Sequence, residues 1–245
     1  MLINKSMYVV SLAIGATLFA ALMASSVKYL SEDINPIIIC FYRCLAGLII
    51  LSPFMVRNNY EAFKSHNIKL QITRSLINII SMICWFTALG MMELEKATAL
   101  GFTTPLFTTI LAIILLGEVI RFHRTTALFL GFFGIIIIIR PGYLPLEVGT
   151  VLMLIASFSF SFVLIFVKKL SAIDSSKTII FYHLLFMTPV FFILSLFFWE
   201  SINFIQFCVF AFMGASGLIS HWCLTQALRL SDTTFVMPLQ FTKLI

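Results

Sequence analysis

Acidic side chains are scarce in this chain, ten Asp and Glu in 245 residues, and none falls inside a long apolar run. Glu93, Glu95, Glu118, Glu200 and Asp232 sit at the ends of such runs, which leaves no carboxylate to carry protons through an apolar interior. Charge of either sign is thin at 11%, against about 25% in soluble globular domains. A water-soluble globular fold is thereby excluded. There are only five cysteines, Cys40, Cys44, Cys84, Cys208 and Cys223, with no CxxC pair, so they read as small apolar packing residues. The four histidines have no spacing suited to a metal, and no cofactor is implied. GxSxG, HExxH, paired intramembrane aspartates and a phosphate loop are missing, which removes the usual machinery of an enzyme. The net charge of +6 comes without a basic patch interleaved with aromatics, which argues against nucleic acid as a partner.

What the chain has is apolar length. Apolar residues make up 61% of it and the mean hydropathy is +1.08. Met7 to Val27, Ala97 to Gly117, Val148 to Val167 and Phe204 to Leu228 reach or pass the roughly 18 residues that carry a helix across about 30 Å of hydrocarbon. Ile34 to Val56 around Arg43, Ser75 to Met92, and Thr178 to Trp199 around His183 read as further spans. Thr125 to Ile139 is a shorter run with Arg124 and Arg140 as interfacial anchors, and a ninth span begins near Thr233. The alternation Ser157-Phe158-Ser159-Phe160-Ser161 has the period of a strand, but its place inside a long apolar segment makes it helix. The apolar run after Met1 to Lys5 is too long for a signal peptide and reads as a retained first helix. The fold class is an all-α membrane protein, with the lipid bilayer as its surroundings.

The chain also aligns with itself at a shift of 140 residues. Val27-Lys28-x-Leu30-Ser31 recurs as Val167-Lys168-x-Leu170-Ser171, and Ile39-x-Phe41-Tyr42-Arg43 recurs as Ile179-x-Phe181-Tyr182-His183, with 7 identities over positions 27 to 43. A duplicated unit follows, spanning 1–140 and then, incompletely, 148–245. Internal repeats in membrane chains point to transport.

Lys and Arg set the orientation. The N-terminus and even-numbered loops hold Lys5, Arg57, Lys64, Lys69, Arg74, Arg121, Arg124, Lys168, Lys169, Lys177 and Arg229, whereas the odd-numbered loops hold Lys28, Lys96 and Arg140. The positive-inside rule therefore places the N-terminus in the cytoplasm. Five spans per unit is an odd number, so the second unit crosses in the opposite sense. The loop charges agree: Lys28, Glu32 and Asp33 net −1, and their counterparts Lys168, Lys169, Asp174 and Lys177 net +2. The expectation is an inverted repeat of five transmembrane helices, a ten-helix transporter truncated in helix nine. The chain is expected to be either a fragment or a natural truncation, since Thr233 to Ile245 is short for a bilayer.

The Phe41-Tyr42-Arg43 segment, Trp85 with Ala88-Leu89, Thr104-Pro105-Leu106-Phe107-Thr108, Leu116-Gly117-Glu118, and Gly131-x-x-Gly134 running into Arg140-Pro141-Gly142 together form a pattern. It resembles the EamA branch of the drug/metabolite transporter superfamily, and within it the rickettsial S-adenosylmethionine carriers. The resemblance implies two EamA-like repeats around a central cavity that moves a small organic metabolite by alternating access, in a bacterial inner membrane. S-adenosylmethionine is a candidate cargo. With no carboxylate inside the spans, facilitated uptake or exchange is expected ahead of proton antiport. The competing expectation is a truncated, non-transporting remnant or scaffold.

Several residues are candidates for contact with the metabolite. An unpaired Arg43 near mid-membrane costs about 2.5–3.5 kcal/mol on insertion scales, so it should face the bundle interior and either clamp a carboxylate or phosphate or bond to carbonyls. Cys40, Ala46 and Gly47, at helical spacing from it, are expected to leave room around the guanidinium. Asn78, Ser81, Trp85 and Ala88 form one stripe, a cavity wall on which Trp85 could stack a planar or cationic group. Thr98, Gly101, Thr104, Pro105 and Thr108 lie in the fourth span, where the proline frees a carbonyl. His183 stands where Arg43 stands in the first copy, and His221 lies on the eighth span above Gly214 and Gly217. Gln240 and Lys243 belong to the ninth.

Overall fold

The computed structural model describes residues 2–56, 63–119 and 147–240, with 126, 129–130, 133–134 and 136–137 between them. Arg57, Arg121, Arg124, Gly131, Arg140, Pro141, Gly142 and Lys243, and most of the expected fifth span, lie outside the described residues.

The apolar runs form helices: α1 (Leu2–Leu30), α2 (Pro36–Val56), α3 (Ile68–Met91), α4 (Leu94–Gly101), α5 (Thr103–Leu116), α6 (Val148–Ser171), α7 (Ser176–Ser195), α8 (Phe204–Leu230) and α9 (Thr233–Leu239). Among the described residues, seven segments are long and apolar enough to cross a bilayer, α4 and α5 counting together as Leu94–Leu116. The chain is a multi-pass membrane protein. The alternating Ser157 to Ser161 stretch is helical, inside α6.

Caps mark several ends. Asn67 and Asn203 accept the backbone N–H groups of Leu70 and Gln206, and Asn203 completes a capping box with the Gln206 side chain. Gly117 ends α5 in the left-handed conformation at φ 66°, and the Glu118 N–H reaches back to the Ala112 carbonyl. The chain turns there so that both Glu118 carboxylate oxygens accept the backbone N–H groups of Thr233 and Thr234 at the start of α9, at 2.9 and 2.8 Å. Burial pushes this carboxyl up, but the hydrogen bonds from Thr233 and Thr234 outweigh it and hold the pKa below the ordinary value.

Two expectations change here. The fourth span, read as one run, breaks at Phe102, because Pro105 has no N–H for the carbonyl of Gly101 one turn earlier. The Thr103 hydroxyl donates to the neighbouring Leu100 carbonyl at 2.8 Å. The third span begins at Ile68, not Ser75, so Lys69 and Arg74 are helical instead of loop residues. Lys28, Lys168, Lys169 and Lys177 likewise lie within helix ends.

Packing follows the 140-residue relation. α1 packs chiefly on α8 and α6 chiefly on α3, so equivalent helices take equivalent partners in the opposite half, while α2 packs against α7 and α8. The repeated lysines do equivalent jobs: the Lys28 ammonium donates to the Met92 carbonyl beyond the end of α3 at 2.9 Å. The Lys168 ammonium donates to the Leu228 and Ser231 carbonyls at the end of α8, at 2.7 and 2.6 Å. Each satisfies orphan carbonyls at a negative helix terminus. The repeated serines match too, since Ser31 and Ser171 donate to the carbonyls of Lys28 and Lys168 at 2.8 and 2.7 Å.

Candidate functional site

A cavity of about 480 Å³ lies among α1, α3, α4, α6 and α8, within the range of small-molecule sites. Its lining runs from exposed Ser25 and Glu95, where α1 ends and α4 begins, down to buried Arg43 and Asn78. The opposite end of the bundle is closed. There the Asp174 carboxylate, between α6 and α7, accepts from Ser65 Oγ at 2.7 Å, the His66 backbone N–H at 2.8 Å and Gln71 Nε2 at 3.0 Å. His66 Nδ1 lies 2.9 Å from it. Burial pushes this carboxyl up, but these hydrogen bonds outweigh it and the pKa falls below the ordinary value. Tyr182 adds a hydroxyl bond to the Phe63 carbonyl at 2.6 Å.

At the cavity floor Arg43 is 5% exposed. Its Nη1 makes a weak contact to Met82 Sδ at 3.7 Å, and among the described residues no carboxylate is within ion-pair distance. The space around the guanidinium comes from α8. A Cβ on Gly217 would lie 3.3 Å from Arg43 Nε. Ala46, expected to leave that room, serves helix packing, 2.5 Å from a Cβ on Gly214, whereas Gly47 faces Leu184 and lines a small void shared with Arg43.

Along α3, Asn78, Ser81 and Trp85 line the cavity. Asn78 Nδ2 lies 3.3 Å from His183 Nε2, and the Ser81 hydroxyl is spent on the Ala156 carbonyl at 2.9 Å. Trp85 stands against Phe86 with 5.3 Å between ring centroids. Ala88 drops out of the stripe because α6 presses on it at Gly149. From the broken fourth span Thr98, Gly101, Thr104 and Pro105 line the cavity, whereas Thr108 is buried away from it. His221 and Gln240 also line it. His183 does not: it sits behind His221, 5.3 Å from it ring to ring, and closes a small void shared with Arg43. The position that matches Arg43 by sequence is therefore a backing residue.

Sequence reasoning missed one wall and one cation. The wall is α1, where Ala16, Ala20 and Ala24 recur every fourth residue and Thr17 and Met23 complete the surface. That small-residue spacing was the available signal. The cation is Arg74, fully buried on α3 and donating Nη1 to the Ile179 carbonyl at 3.0 Å.

A model of the EamA-like transporter family matches residues 7–140 and 147–245. The S-adenosylmethionine uptake transporter of Rickettsia bellii is 25% identical over 246 residues, covering 99% of this chain and 84% of that protein. Its namesake in Rickettsia prowazekii is 25% identical over 89% of this chain and 74% of its own length. A riboflavin transporter of Vibrio cholerae is 28% identical over 82% of this chain and 68% of its own. A solved crystal structure superposes with a TM-score of 0.77 at 11% identity, covering 96% of this chain and 84% of the other, a likeness of fold.

Proposed function

The chain belongs to the EamA-like transporter family, and on that premise we propose that its cavity carries a small organic metabolite across the membrane by alternating access. The observation that carries this is Arg43: a buried guanidinium without an anionic partner among the described residues, at the floor of an open 480 Å³ cavity. A buried cation without a counter-charge is costly inside a membrane, and a carboxylate on the cargo would supply it with bidentate hydrogen bonds. Trp85, on the same wall, offers a ring face for a planar or cationic part of the cargo. S-adenosylmethionine, the cargo named for the rickettsial relatives, carries a carboxylate, an aromatic base and a sulfonium, and is our first candidate. Asn78, Ser81, Thr104, Pro105, His221 and Gln240 complete the proposed contact surface, with His183 acting from behind Asn78.

The two halves, 1–140 and 148–245, act in this reading as inverted five-helix repeats. The exchanged packing and the matched Lys28 and Lys168 bonds support it. With the N-terminus cytoplasmic in a bacterial inner membrane, the cavity opens outward and the Asp174 seal faces inward. Facilitated uptake or exchange fits spans whose described residues hold no buried carboxylate. Liposomes containing the protein and loaded with unlabelled S-adenosylmethionine should accumulate labelled S-adenosylmethionine, and Arg43→Ala should abolish this with normal membrane insertion. Undiminished uptake by Arg43→Ala would reject the clamp, and no uptake by the unaltered protein would reject this cargo.

A further inference from the structure

The closed half of the bundle holds a second cation with no anion. Arg74 is 0% exposed; among the described residues its one hydrogen bond goes to the Ile179 carbonyl, and its Nε has no partner. No carboxylate among the described residues is within ion-pair distance of it. Asp174, the acidic group of this region, is occupied by Ser65, His66 and Gln71. A side chain needed only to pack between α3 and α7 could be methionine, as Met82 and Met187 are. A buried guanidinium whose Nε has no partner among the described residues is poorly explained by packing.

Arg74 is also not isolated. Gln71, Arg74 and Asn78 share one face of α3 at spacings of three and four. Asn78 lines the cavity, and Gln71 reaches the Asp174 seal. Two further buried atoms on this file, Gln71 Oε1 and His183 Nδ1, have no partner. A polar column with unsatisfied atoms therefore leads from the cavity floor to the seal. Such atoms are normally paired. They would be satisfied when the α3 and α7 faces separate and admit water or a ligand.

We propose that Arg74 is a second carboxylate-binding station, in the sealed half of the path between α3 and α7, which receives the carboxylate of a cargo as it leaves Arg43. The proposal rests on the reading of the cavity as a transport site. Charge favours carboxylate over phosphate, since one guanidinium matches one carboxylate, while a phosphate dianion would bring an unmatched charge.

The test compares two thiol reagents of similar size, iodoacetate, which carries a carboxylate, and neutral iodoacetamide. Gln71→Cys is placed one turn from Arg74 in a protein whose five native cysteines are replaced by alanine. The protein is reconstituted in liposomes with the reagent on the sealed side. The ratio of the two alkylation rates is read with Arg74, Arg74→Lys and Arg74→Gln; any effect of the arginine on the thiol itself cancels in that ratio. The expected result is a ratio about tenfold higher with Arg74 than with Arg74→Gln, and intermediate with Arg74→Lys. Equal ratios in all three overturn the proposal, as does a thiol in the Gln71→Cys variant that neither reagent reaches in protein that exchanges S-adenosylmethionine. Asn78→Cys, one turn to the other side, replaces Gln71→Cys if the latter is not monodisperse. Absence of S-adenosylmethionine exchange would defeat the named cargo, whereas the alkylation ratio reads Arg74 directly, so the two failures are distinguishable.

Discussion

Gly217 of α8 and Arg43 of α2 occupy one space: a Cβ on the glycine would stand 3.3 Å from Arg43 Nε, 3.4 Å from Nη2 and 2.9 Å from Met23 Sδ. The guanidinium keeps its place at the cavity floor because that methyl group is missing. Gly217→Ala should therefore push Arg43 out of position and lower uptake of S-adenosylmethionine, with folded protein recovered near normal yield. Gly217→Val should reduce both yield and uptake. Uptake by Gly217→Ala equal to that of the unaltered protein would show that the arginine has slack.

Glu118 ties the end of the fourth span to the start of α9 through two charge-assisted hydrogen bonds. Glu118→Ala removes both acceptor oxygens at this helix start and should cost about 1 kcal/mol, the usual magnitude of a lost N-cap. Glu118→Gln, which keeps one acceptor oxygen, should cost less. Thermal unfolding of the detergent-solubilised variants at neutral pH gives the order.

Asp174 gives the seal a pH dependence whose sign follows from its lowered pKa. Its contribution to stability is complete above the ordinary aspartate value of about 3.9 and is lost as pH falls through the lower folded value. The unaltered protein should unfold at a higher temperature than Asp174→Asn near neutrality, and the gap should close in that acidic window. A gap that stayed constant down to pH 3 would remove Asp174 from the seal.

Lys28 and Lys168 bond to carbonyls at the ends of α3 and α8 in the same manner. Lys28→Met and Lys168→Met should each destabilise by about 1 kcal/mol, within the range of a cation at a helix C-terminus. Because the two sites are remote, the double variant should show the sum. A Tm series over the four proteins tests both statements.

The helices were legible because they write themselves in residue order: apolar runs set span lengths. What escaped depends on neighbours distant in sequence. Arg74 looked like a loop charge because hydropathy rejects a cation whose acceptor, the Ile179 carbonyl, is 105 positions away. Ala46 and Gly47 looked like room for Arg43, but Gly214 of α8 packs on Ala46 and Leu184 of α7 faces Gly47. The break at Phe102 was hidden by uninterrupted apolarity, although Pro105 marked it. His183 matched Arg43 in alignment yet lies one layer behind, because in the folded chain its Nε2 meets Asn78 and its ring backs onto His221.

The reciprocal embrace of the halves governs how the chain comes off the ribosome. α1 and α3 are synthesised long before α8 and α6, the helices that cover them. Until α7 emerges, Arg74 lacks the carbonyl that accepts its hydrogen bond, and Gln71 waits for Asp174. The early helices must therefore be sheltered from lipid by the insertion machinery, or held near the headgroups, until their late-born partners arrive.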